Sequence, residues 1–187
     1  MNKSVVQSAV LQALVLAKVL KPVLNTDGSP KPDMFGDPSY EQGPNTIVAR
    51  IYEVAQFEKT DAILRFRIAV PQALTTAHVP GVTYTDTQGA LQPVPVAFSA
   101  FLNKMSKADA EKAGFGPGAV ITAFVTGASA DISIKPPKID PVSGGETSPA
   151  RTDINATLRL GEWEVSVPAV DARANMRAPG SLPRPTA

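Results

Sequence analysis

The residues with the best claim to chemistry are Arg50, Tyr52, Arg65 and Arg67. Guanidinium groups grip phosphates and aromatic faces accept stacked bases, so this set reads as a hold on single-stranded nucleic acid. Phe57 and Phe66 could stack too, but both fall on alternating apolar positions, where core packing is the default. No set reads as catalysis. The chain has no cysteine, which removes thiolate nucleophiles and cysteine zinc sites. Its single histidine, His78, cannot build a two-histidine metal site and reads as a turn or surface residue of TTAHVPG. Serines and threonines abound without a nucleophile elbow or a nearby base. The expectation is a non-enzyme with no catalytic, cofactor-binding or metal-binding residues.

Three further motifs lose their chemistry on inspection of their spacing. GFGPG at 114–118 follows a helical segment and precedes a strand, the reverse of a phosphate-binding loop, so it reads as a helix cap and turn. Asp27, Asp33 and Asp37 lack the alternate-residue spacing and closing glutamate of a calcium loop. Glu162 and Glu164 flank Trp163 and project from one sheet face, which reads as a solvated outer surface with Trp163 and Val165 turned inward.

These residues need elements to hold them. TIVARIYEVAQF (46–57) and AILRFRIAV (62–70) alternate apolar and polar residues and are joined by the short polar EKTD, which predicts a β-hairpin with Arg65 and Arg67 opposite Phe66. Glu53 is the exception on the apolar face of the first strand. Short strands are expected near 82–85 and 91–98, the latter an edge strand because Pro93 and Pro95 donate no ladder bonds. A helix is expected near 98–113, capped by Gly114. Strands follow at 119–127, 130–134, 154–160 and 162–167, with a polar loop at 135–153. Residues 4–20 fit a helix with a Ser4/Gln7 capping box, a wide apolar arc and Pro22 as its stop. Lys3 ahead of this apolar run imitates a secretion signal, but Gln7 and Gln12 interrupt it and secretion is not expected. A membrane span is not expected either.

The fold class that results is mainly β: a β-sandwich or partly closed barrel of six to eight strands, with an N-terminal helix, one inserted helix and extended proline-rich arms. The chain of 187 residues divides into the helix (1–21), a Pro/Gly-rich strap (22–45), the β-rich core (46–167) and a proline-rich C-terminal arm (168–187). Its 18 prolines are roughly twice the average usage of about 5% and concentrate in these connections. Proline lowers the entropy an extended arm loses on docking, so the arms suit contact with another copy of the chain. The composition, rich in Ala, Val, Thr and Pro and poor in charge, resembles that of accessory or shell proteins of bacterial viruses. That resemblance implies a self-associating virion subunit, located in the virion or in the cytoplasm of an infected bacterium, with copies of itself and other virion proteins as partners. The alternative comes from element order: three strands, a helix, then two strands resembles an OB barrel and implies binding of single-stranded nucleic acid. The net charge of +1 leaves that alternative without long-range electrostatic steering.

Overall fold

A computed structural model of the chain describes residues 3–34, 36–57, 63–71, 74, 79, 81–103, 105 and 107–168. Of the expected features, His78, the EKTD connection (58–61) with Ala62 of the strand after it, and residues 169–187 of the C-terminal arm lie outside the described residues.

Five long strands close into a barrel. They are β3 (Ile47–Phe57), β4 (Ile63–Ala69), β7 (Val96–Asn103), β8 (Val120–Lys135) and β11 (Arg151–Val167), numbered in chain order among the eleven strands of the described residues. β3 pairs antiparallel with β4, β4 with β7, and β8 with both β3 and β11; β7 and β11 run parallel. Period-two sequence drives this closure, because each strand buries every second residue against the others. Ile47, Ala49 and Ile51 face inward from β3, Phe66 and Ile68 from β4, and Ile154, Ala156, Leu158 and Leu160 from β11. Fully burying a large apolar side chain contributes about 1.5–3 kcal/mol, so these rows dominate the stability of the barrel. At one end Phe115 stands edge-on between Phe66 and Trp163, with ring centroids 4.7 and 5.5 Å away.

The mainly β fold with an N-terminal helix and one more short helix is as expected, and several elements differ in extent. The inserted helix, α2, covers only Lys107–Lys112, and the sequence before it is strand β7. Val96, Phe98, Ala100 and Leu102 are buried while the residues between them are not, a period of two that places VAFSAFLN in the barrel wall. α2 ends as expected at Gly114, whose φ of 75° permits the Phe115 N–H to reach the Ala110 carbonyl. β8 and β11 are each continuous where two strands were expected. In β11 a register shift between Leu160 and Trp163 absorbs Gly161 and turns Trp163 toward the core. A similar shift after Ile51 in β3 explains Glu53, which the bulge rotates outward to pair with Arg67.

The remaining strands form three two-stranded sheets: β1 (Leu20–Pro22) with β2 (Tyr40–Gln42), β5 (Thr83–Thr85) with β6 (Leu91–Pro93), and β9 (Lys138–Ile139) with β10 (Glu146–Ser148). Of the edge strand expected over 91–98, only Leu91–Pro93 forms one, as β6, in keeping with Pro93; Pro95 lies between strands and Val96–Phe98 belong to β7 in the barrel wall. The 135–153 segment, expected as a loop, thus carries a hairpin.

The N-terminal region is corrected most. The helix α1 (Lys3–Leu16) is not stopped by Pro22, which lies in β1. It ends with Lys18 at a φ of 58°, the Lys18 N–H bonded to the Val15 carbonyl and the Val19 N–H to the Leu14 carbonyl. This is the Schellman arrangement, with lysine where glycine is usual. The strap was expected as an extended arm suited to contact with another copy of the chain. Instead it doubles back through bridges Leu24–Pro30 and Pro32–Pro38, and α1 packs on β8 of its own barrel, burying Val6, Val10, Leu11 and Leu14.

Candidate functional site

The outward face of β4, β7 and β11 collects what the sequence left scattered. Because Phe66, Ile68, Ala100, Leu102, Leu158 and Leu160 point into the barrel, Arg65, Phe101 and Arg159 point out. Strand register brings the three side by side: Arg65 is opposite Phe101 on β4 and β7, and Arg159 is beside Phe101 on β11. The Arg159 guanidinium carbon lies 5.6 Å from the Phe101 ring centroid, a cation–π contact. One step along, Arg67 is opposite Ser99, which is beside Thr157. The Arg67 guanidinium lies 3.5 Å from the Glu53 carboxylate with both side chains about half exposed, so the pair orients more than it stabilises.

At one end of this face a groove of about 820 Å³ opens between the β5–β6 hairpin and the start of β11. Tyr52 and Tyr84 line it, 49% and 47% exposed, together with Arg67, Lys135, Arg151 and Asn155. Asp153 in the same lining pairs with Lys135 at 2.6 Å and with Arg151 at 3.4 Å. The Lys135 hydrogen bond, helped by the Arg151 charge, holds the Asp153 carboxyl below the usual aspartate range. Each flanking hairpin is closed by an aspartate at its tip. Asp86 accepts from the Ala90 and Gln88 N–H groups and the Gln92 amide; Asp140 accepts from the Val142 N–H and the Ser143 hydroxyl. Those hydrogen bonds lower both carboxyls, led by Ala90 and Val142 respectively.

Of the residues expected to meet nucleic acid, Arg50, Arg65 and Arg67 lie on the outer face and Tyr52 and Arg67 reach the groove. Phe66 does not: it is fully buried in the barrel. The side chain of Phe57 lies outside the described residues. Phe101, Arg159, Tyr84 and Arg151 were missed. The signal for Phe101 is its place on the polar parity of VAFSAFLN; Arg159 holds the matching place in INATLRL. Glu162 and Glu164 are exposed, as their alternation with Trp163 required.

Among the described residues no three His, Cys, Asp or Glu side chains gather as a metal group, and no helix is long and apolar enough to cross a membrane. No protein-family model, curated protein or solved structure matches the chain.

Proposed function

We propose that the chain binds single-stranded nucleic acid across the outer face of β4, β7 and β11. The connectivity supports this reading: three strands, a helix and two strands, with the third and fifth parallel, form a barrel of the OB kind, whose second and third strands carry ligands. Fold alone does not fix function, so the weight rests on one local observation, Phe101 flanked in register by Arg65 and Arg159. An aromatic ring stacks any base, contributing about 1–3 kcal/mol, and the flanking guanidiniums take phosphates on either side. A neutral oligosaccharide, the other ligand class of such barrels, has no use for the cations.

The experiment is fluorescence anisotropy of a labelled oligothymidylate over a series of salt concentrations. With Arg50, Arg65, Arg67 and Arg159 in contact, the logarithmic salt slope is expected near −3, at about −0.7 per neutralised phosphate. Phe101→Ala should lower affinity about 5- to 100-fold with little change in slope, and the double variant Arg65→Ala/Arg159→Ala should flatten the slope by about 1.4. Absence of binding at low salt, or variants that bind like the parent, overturns the proposal.

A second reading, the self-associating virion subunit, is favoured by apolar side chains left bare on two hairpins: Leu91 on β6, Ile139 on β9 and Val142 in the adjoining turn, the last 94% exposed. Under it the solution mass by light scattering is a multiple of 19.6 kDa; a monomer sinks it.

A further inference from the structure

We infer that the groove beside β5 and β6 is a second base-binding station on the path of the strand, with Tyr52 and Tyr84 as its stacking faces. The inference rests on the nucleic-acid reading of the Phe101 face and extends it to a separate set of residues.

Three observations point to the ligand. The groove continues the Phe101 face, because Arg67 and Ser99 belong to both. Its two tyrosines come from unrelated places: Tyr52 from β3, at the bulge between Ile51 and Glu53, Tyr84 from the middle of β5. Each leaves about half its surface to solvent, far more than core packing of an aromatic leaves, and about 820 Å³ of open space lies before them. Finally, the lining is cationic. Arg67, Lys135 and Arg151 stand against the carboxylates of Asp153 in the lining and of Glu53, which pairs with Arg67, and leave an excess of one positive charge. Stacking faces beside surplus cations suit a base together with its phosphate. Asp153 bridges Lys135 and Arg151 across adjacent strands, so those cations are set before any ligand arrives. A strand lying on Phe101 would then reach the groove by running along β7 toward its N-terminal end, past Ser99.

The test compares Tyr84→Ala and Tyr52→Ala with the parent on an oligothymidylate of about twelve nucleotides, within the span one such barrel covers, and on the same backbone made abasic. Each variant should bind the thymidylate about 5- to 100-fold more weakly, keep its salt slope, and bind the abasic strand as the parent does. Tyr84→Phe should restore binding, and the thermal midpoint of Tyr84→Ala should stay with the parent because the hairpin side chain is exposed. If Phe101→Ala weakens binding and the tyrosine variants do not, the second station is wrong while the Phe101 reading stands. If the tyrosine variants lose the abasic strand equally, their role is structural and the station is also overturned. A parent protein that binds neither strand refutes both readings.

Discussion

The two sides of the barrel are treated in opposite ways. Along β8, pairing with β3 covers only Val120 to Ala123, so the rest of this long strand would present bare N–H and C=O groups along one edge. The chain fills that edge with its own N-terminal region: α1 and β2 pack against β8, and the Gln7 amide donates to the Ala128 carbonyl and accepts from the Ala130 N–H. Along β4, β7 and β11 every strand has two neighbours, and on their outer face Arg65 and Arg159 are exposed and Phe101 is half-buried. Water explains the contrast. Unpaired backbone is costly to bury and a template for aggregation when left open, so it is covered. Guanidiniums are content in water, so a wall bearing them can stay open and meet a ligand.

The comparison predicts that substitutions on the covered side cost stability and spare binding, and that those on the open side do the reverse. The largest effect on stability is expected at Gly43. Its N–H donates to the Val19 carbonyl at 2.9 Å, and a Cβ there would run into the Lys18 carbonyl oxygen, which also accepts from the Asn45 N–H. Both contacting groups are backbone, so neither can swing aside. Gly43→Ala should destabilise by about 2–3 kcal/mol, lowering the thermal midpoint by roughly 5–10 °C. Oligothymidylate affinity of the folded fraction should be unchanged. A midpoint equal to the parent's would mean that the strap is not clamped to the end of α1.

How far the sequence revealed this division differs between the two sides. The β3–β4 hairpin was legible because its inward residues are strongly apolar and its outward ones include Arg65 and Arg67. The bulges were visible only as oddities, Glu53 on an apolar face and Gly161 between two strands, since sequence alternation cannot say which way the chain rotates after an extra residue. β7 was misread as helix because FSAFLNK runs straight into the true helix, and short apolar runs satisfy both periods. The neighbours of Phe101 were beyond reach for a different reason. Parallel pairing of β7 with β11 joins residues 58 positions apart, and no local pattern encodes that register. The end of α1 was hidden as well, because a lysine stands at the left-handed position where glycine would have marked it.

Gln7 gives the smaller and sharper test of the covered side. In the sequence it read as an interruption of the apolar run and as half of a capping box; in the fold its amide closes two backbone groups of β8 at once. Ala130 is buried, so truncating Gln7 strands its N–H away from water, and Gln7→Ala should cost about 1–3 kcal/mol. Arg65→Ala, on the open wall, should stay within about 0.5 kcal/mol of the parent, as exposed positions usually do. Chemical denaturation of the two variants together decides the matter: a Gln7→Ala midpoint indistinguishable from that of Arg65→Ala would mean water satisfies the β8 edge unaided. The N-terminal helix would then be free to serve something other than its own barrel. If instead only Gln7→Ala shifts, the edge is sealed from within the chain, and the open wall is left as the face available to a ligand.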